Sequence, residues 1–265
     1  MSIELYHAGV SVCSEKVRLV LAERGLDFAS HLLDLRAGDQ QQPDYVKLNS
    51  NAVVPTLVHD GNVLVESNVI SEYLAEAFPG PTLTTSDPVS RARMRVWTKQ
   101  LDESIHQLTS VISFAIGFRH QLLAKPRDEA LAVLSKIPDQ ARRERQIDVY
   151  EKGVESAHFV PAVRRFEKML GDMQAALDRT PWLAGNEMSL ADIAFTPYVN
   201  RLDQLQMAFM WDGRPKVAQW FETMRARPSY AKAYSGWMAK PVLDTMREKG
   251  NEAQPRLKQI VSSIR

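Results

Sequence analysis

Val53-Val54-Pro55-Thr56-Leu57-Val58-His59, then Asp60-Gly61, then Asn62-Val63-Leu64-Val65-Glu66-Ser67, is the stretch whose pattern decides the fold class. Two apolar runs flank Asp-Gly, a dipeptide that accepts the positive φ of a tight hairpin turn. The runs therefore read as paired strands, with Val54-Pro55 at the entrance to the first. Ser67 can cap a following helix whose inner face is Val69, Ile70, Tyr73, Leu74 and Ala77, and Phe78-Pro79-Gly80-Pro81 breaks it.

Upstream of the hairpin, strand and helix signals alternate. Ile3 and Leu5 alternate with Glu4 as a short strand. Ser11 to Ser14 supplies capping residues for a helix carrying Val17, Val20 and Leu21, and Gly25 stops it. Phe28 to Leu35 reads as a second strand, and Arg36 to Asn51 as a loose polar stretch. Downstream the pattern changes. Met94, Trp97, Leu101, Ile105, Leu108 and Ile112 recur at steps of three and four, as do Val163, Phe166, Leu170, Met173 and Leu177, and then Val217, Trp220, Phe221 and Met224. Arg227-Pro228 ends the last of these. The charge-dense segment Asp139 to Lys152 reads as a solvated helix face. A boundary at residues 79–88 divides an α/β domain, 1–82, from an all-α domain, 88–265, with an extension after Met238.

Bulk composition narrows the function class. The chain has 265 residues, 45% hydrophobic and 25% charged, which can bury a sizeable core. A net charge of +1 gives no polyanion signature, so no nucleic-acid partner is expected. Cys13 is the single cysteine, which excludes an intrachain disulfide and fits a reducing, cytoplasmic setting. The N-terminal residues lack the pattern of a secretory signal, and no apolar run is long enough to span a bilayer, so no membrane association is expected. His7, His31, His59, His106, His120 and His158 form no close ligand pair, and no Gly-rich nucleotide-binding loop is present. No metal and no nucleotide are expected.

Four features in this order resemble the glutathione S-transferase family. Ser11-Val12-Cys13-Ser14-Glu15-Lys16-Val17-Arg18 lies between the first strand and the first helix, where the family keeps its catalytic serine, cysteine or tyrosine. Val54-Pro55 stands where the family keeps a cis-proline, and Glu66-Ser67 where it binds the γ-glutamyl group. Trp182-Leu183-Ala184-Gly185 with Ser189-Leu190-Ala191-Asp192-Ile193-Ala194 looks like the family's buried capping box. The helix ending in Arg227-Pro228-Ser229-Tyr230 also resembles a late family helix. The first motif is most similar to the serine- and cysteine-type classes. Val96-Trp97-Thr98-Lys99, the insertion 116–159 and the tail are similar to bacterial β-aryl-etherase-type members.

The resemblance implies a thioredoxin-like N-terminal domain plus an all-α C-terminal domain, a homodimer, and glutathione as co-substrate, with no metal or nucleotide. It places Ser11 at the catalytic position, with Cys13 and Ser14 as alternatives, since Ser14 occupies the second position of a thioredoxin-like pair. With Ser11 and Ser14 in place of two cysteines, dithiol redox chemistry has no electron donor. Val54 and Pro55 would pair with the cysteinyl unit as an added strand. Glu66 and Ser67 would hold the γ-glutamyl end, and Gln40 the glycine carboxylate. Phe114, Phe118, Arg119 and His120 are candidates for the wall of a pocket for a small hydrophobic electrophile. The reaction is then conjugation, or alternatively ether cleavage or isomerisation, or the fold is kept as a non-catalytic binding module. Lowering a thiol pKa from about 8.5 by two units takes roughly 2.7 kcal/mol. A helix N-terminus gives about 0.3–1 kcal/mol and one hydrogen bond to the charged sulfur about 1.5–3 kcal/mol, which together reach that figure.

Overall fold

The computed structural model describes residues 2–265. Its α/β part runs β1 (Ile3–His7), α1 (Val12–Arg24), β2 (Ala29–Leu32), a short 3₁₀ turn (Asp39–Gln41), α2 (Pro43–Leu48), β3 (Thr56–His59), β4 (Asn62–Leu64) and α3 (Ser67–Ala77). The strands form one mixed sheet in the order β2-β1-β3-β4. β1 is parallel to β2 and antiparallel to β3, with Leu5 opposite Leu57. β3 and β4 are the expected hairpin, turned at Asp60 (φ 46°) and Gly61 (φ 82°). β2 is shorter than the Phe28 to Leu35 apolar run suggests: it is an edge strand paired only with β1, so its ladder stops at Leu32 where β1 stops at His7.

Helices follow: α4 (Pro88–Gln100), α5 (His106–Ser113), α6 (Arg119–Leu123), α7 (Arg127–Ser135), α8 (Gln140–Lys152), α9 (Phe159–Leu177), α10 (Leu190–Gln204), α11 (Pro215–Arg225), α12 (Pro228–Tyr234) and α13 (Lys240–Ile264). The fold is thus an α/β thioredoxin-like part followed by an all-α part. The long amphipathic helix expected through Ile112 contains one π-helical turn, Leu101–Ile105, and a second follows it at Phe114–Phe118. Each inserts a residue per turn, yet Met94, Trp97, Leu101, Ile105 and Ile112 are all buried, as the steps of three and four require. Val217 to Tyr230 is also two helices. Pro228, with no N–H to donate, opens α12 at its first turn.

Two compact units emerge. The first takes in the chain up to Thr98, with Arg179–Tyr198 and Gln219–Ala239; the second is Lys99–Asp178, Val199–Ala218 and Lys240–Arg265. In the first, α1 packs against α3 and α12. Val17, Val20, Leu21, Leu57, Ile70 and Leu74 are fully buried there. A smaller cluster of Ala8, Tyr45 and Val54 packs with Tyr6, Leu33, Leu35 and Leu48. The capping box is present and buried. The Asp192 carboxylate accepts from the Leu183 amide (3.0 Å), the Ser189 amide (3.0 Å) and the Trp220 indole (2.9 Å). Burial pushes its carboxyl pKa up, and those hydrogen bonds pull the other way.

In the second unit α9 packs against α5 and α13. Gly250 lets α13 approach so closely that a Cβ there would lie 2.3 Å from the Leu205 carbonyl oxygen. Arg214 and Arg265 both donate to Glu167, and Arg265 also to the Met210 carbonyl, tying down the end of α13. Among the described residues no helix is long and apolar enough to cross a membrane.

Candidate functional site

Ser11 is the N-cap of α1. Its backbone is extended (φ −90°, ψ 117°), and its hydroxyl accepts from the Ser14 amide at 3.2 Å. A hydroxyl has one proton and two lone pairs. Ser11 spends a lone pair on the helix, and its proton meets no acceptor among the described residues; the side chain is half-exposed. Ser14 is different. It is fully buried, and its hydroxyl accepts from the Ala8 amide at 3.2 Å, folding the loop after β1 back onto α1. Cys13 lies on the first turn of α1, half-exposed and unoxidised.

The loop carrying Ser11 is braced from below by residues the sequence reading did not single out. Arg18 is 2% exposed. It donates to the Ala8 carbonyl (3.3 Å) and the Ala233 carbonyl (2.8 Å), meets His7 Nδ1 at 3.1 Å, and lies 5.3 Å from the Trp237 ring. His7 Nε2 is 2.8 Å from the Ser30 hydroxyl. Burial, then the neighbouring Arg18, then His31, lower the His7 pKa to about 3, so the ring is neutral and accepts from Arg18. Gly9 sits directly against the Trp237–Met238 backbone, where a Cβ would be 2.0 Å from the Trp237 oxygen.

The Val54-Pro55 peptide is cis. The Val53 carbonyl is taken by the Tyr45 hydroxyl (2.6 Å) and the Asn49 amide (3.0 Å). The Val54 amide and carbonyl carry no hydrogen bond among the described residues, which leaves them available to an added strand. Val53 itself is exposed. Gln40 bends inward: its Nε2 donates to the Leu35 carbonyl at 3.3 Å.

At α3 the expected cap is corrected by one position. Glu66 is the residue before the helix and Ser67 the first within it, and no side chain caps the turn. Glu66 is exposed and held at φ 67°, ψ 110°, a conformation that costs a non-glycine residue about 1–3 kcal/mol and persists only when its surroundings enforce it. The Ser67 hydroxyl accepts from Lys16 Nζ at 3.0 Å. A turn with uncapped N–H groups and a hydroxyl at its mouth suits a carboxylate. Together with the open Val54 backbone, these residues offer backbone and hydroxyl groups suited to an extended, anionic ligand.

The four helical candidates, in the second unit, spread to three neighbours. Phe114 is buried, Phe118 lies 5.5 Å below the Arg201 guanidinium, and Arg119 donates to the Tyr150 carbonyl at 3.0 Å. His120 stands beside Lys249 and Glu252; burial, then Arg119 and Lys249, lower its pKa. A depression of about 570 Å³ lined by Glu23, Leu83, Glu187, Met188 and Arg227 contains none of the candidate residues. Among the described residues no group of three or more His, Cys, Asp or Glu could hold a metal ion.

Residues 1–76 match the glutathione S-transferase N-terminal domain and residues 131–228 the glutathione S-transferase C-terminal domain. The chain belongs to the glutathione S-transferase family. It is 30% identical to Protein LigF of Sphingobium sp. strain SYK-6, over 94% of this chain and 99% of that one. It is 29% identical to the tetrachloro-p-hydroquinone reductive dehalogenase of Sphingobium chlorophenolicum, over 87% and 95% of the two chains. The crystal structure of the β-etherase LigF superposes with a TM-score of 0.79, covering 88% of this chain and 99% of that one. Family membership carries glutathione as the expected partner substrate. The relatives' names differ in the reaction they describe.

The pattern of α1 gives Lys16 and Arg18 no special role in sequence. α1 carries alternating charged and apolar residues that read as amphipathic, whereas the folded helix is buried from Ser14 through Leu21. The signal that could have found them is the run of four charged residues Glu15, Lys16, Arg18 and Glu23 on a helix that must also enter a sheet core.

Proposed function

We propose that this chain is a glutathione transferase that activates the glutathione thiol for attack on a small hydrophobic electrophile. The observation that carries this reading is the Ser11 hydroxyl. One of its two lone pairs is committed to the helix and its proton meets no acceptor among the described residues, so it can donate to an anion in front of α1. Bound glutathione supplies the nucleophilic sulfur, which bonds to carbon while the leaving group departs with its electron pair. Ser11 and the start of α1 favour the ionised sulfur by the few kcal/mol that activation requires. Ser14 is the brace of the loop, and Cys13 a neighbouring group on the first turn. The Val54 main chain beside Pro55 pairs with the cysteinyl unit, Glu66 and Ser67 hold the γ-glutamyl end, and Gln40 stands on the glycine side. Residues 1–82 form the glutathione-binding part and 88–265 the part that shapes the electrophile pocket, with Phe114, Phe118, Arg119 and His120 as its wall. The protein is cytoplasmic and pairs as a homodimer.

Calorimetric titration with glutathione and with its des-γ-glutamyl analogue tests the binding half. Glutathione binds and the analogue binds more weakly; equal affinity, or no heat at millimolar glutathione, defeats the reading. Ser11→Ala lowers turnover roughly 10- to 150-fold, one hydrogen bond to a charged acceptor, while Ser14→Ala lowers stability first.

The likeness to the β-etherase LigF, at 30% identity over 99% of its length, favours a second reading in which the electrophile is a β-aryl ether. There the sulfur–carbon bond forms as the carbon–oxygen bond breaks, and the aryl oxygen leaves with the electron pair and takes a proton from water. Release of one phenol per thioether formed from a model β-aryl ether, faster than conjugation of an activated aryl halide, selects this reading.

A further inference from the structure

We infer that Lys16 is a positioning residue that makes the Ser67 hydroxyl a dedicated donor to the α-carboxylate at the γ-glutamyl end of glutathione. The inference rests on the binding half of the proposed function. Lys16 lies on α1, fully buried, which is rare for lysine unless its ammonium has partners. Nζ donates to the Ser67 hydroxyl at 3.0 Å and to Asn68 Oδ1 at 2.7 Å. Asn68 Nδ2 in turn donates to the Thr98 carbonyl at 3.1 Å. The first turn of α3 is therefore pinned at two successive side chains.

An ammonium has three donors and no acceptor. Ser67 must therefore accept from Lys16, and it cannot satisfy itself by giving its proton back. Ser67 is buried, and its hydroxyl proton has no acceptor among the described residues. The neighbouring Ser71 hydroxyl gives its own proton to the Ser67 carbonyl at 2.7 Å. The proton is left for an acceptor at the α3 N-terminus, where uncapped N–H groups also favour an anion. A serine without this lysine rotates freely and accepts or donates according to its surroundings. Lys16 removes that freedom before the ligand arrives, so less ordering is left for binding to supply.

The test compares glutathione with an analogue that lacks only the γ-glutamyl α-carboxylate (4-aminobutyryl-cysteinylglycine), using wild-type protein and Lys16→Met. Glutathione binds Lys16→Met about 10-fold more weakly, the scale of one hydrogen bond to a charged group. The analogue binds both proteins alike, KM for glutathione rises, and kcat at saturation is unchanged. Equal weakening of both ligands, or a fall in kcat with KM unchanged, makes Lys16 a support of the fold and overturns the inference alone. Wild-type protein that binds neither ligand overturns the proposed function, and this inference with it. A crystal structure of the wild-type complex is the second measurement, independent of whether Lys16→Met folds. Ser67 Oγ bonded to the carboxylate with Lys16 still at its back supports the inference; Lys16 bonded to the carboxylate in its place refutes it.

Discussion

Gly9→Ala tests how the loop carrying Ser11 is held. The new Cβ would lie 2.0 Å from the Trp237 oxygen and 2.8 Å from its carbonyl carbon, both backbone atoms, against an ordinary contact of at least 3.4 Å. The two segments must separate by about 1.4 Å, and no rotamer change relieves the clash because no side chain causes it. Which side moves follows from the bonds on each. The Ala8 amide accepts no freedom: it is held by Ser14, and the Ala8 carbonyl by Arg18 and the Ser11 amide. Trp237 has one backbone hydrogen bond, to Tyr234, at 3.5 Å, and an indole N–H bonded to the Lys232 carbonyl. The Trp237 side yields. Overpacking of this kind costs about 1–3 kcal/mol, which at about 2–4 °C per kcal/mol lowers Tm by roughly 2–12 °C. Ser11 stays in place, so glutathione affinity changes less than about threefold, well short of the 100-fold that a 1 Å misplacement of a reacting group can cost. Scanning calorimetry and glutathione titration on the same preparation decide it. An unchanged Tm shows that the close approach does not exist in solution, and a collapse of affinity at unchanged Tm shows that the loop, not Trp237, gave way.

Asp192→Ala leaves the Leu183 and Ser189 amides and the Trp220 indole without an acceptor in a fully buried site, at about 1–3 kcal/mol each. Asp192→Asn keeps one acceptor oxygen, so urea midpoints fall in the order wild type, Asn, Ala; a midpoint for Ala equal to wild type contradicts the box as a structural element. His7, with a folded pKa of about 3 against an ordinary 6.5, stays neutral while the unfolded chain takes up a proton. Its contribution is complete above pH 6.5 and is lost as pH falls from 6.5 toward 3, by at most about 5 kcal/mol; His7→Gln loses less stability than wild type between pH 7 and pH 4, and parallel losses would refute the assignment. Val69, Val89 and Val96 on α3 and α4 are 56%, 57% and 62% exposed, apolar side chains that a second copy would cover. Sedimentation at micromolar concentration gives a particle of twice the 30.0 kDa chain mass, and a 30.0 kDa particle counts against the homodimer.

The hairpin at Asp60-Gly61, the Ser11 cap, the Gly25 stop and the Ser189-Asp192 box were legible in sequence because each is a local rule. A positive φ, an orphan amide or a missing N–H is satisfied by residues within a few positions, so spacing alone exposes it. The change from a period of two to one of three and four likewise separated the α/β part from the helical part. Tertiary structure alone decided the rest. That Ser14 is fully buried while Ser11 stays half-exposed depends on the Ala8 amide, which reaches Ser14 only when β1 and α1 fold onto each other. The role of Lys16 depends on Ser67, 51 residues away, and that of Arg18 on Ala233, 215 residues away. The two π-helical turns leave no mark in the spacing of apolar residues. Local chemistry writes a capping serine into its neighbours. A buried lysine or arginine is written only into the partners that the fold brings to it, and those partners are far along the chain.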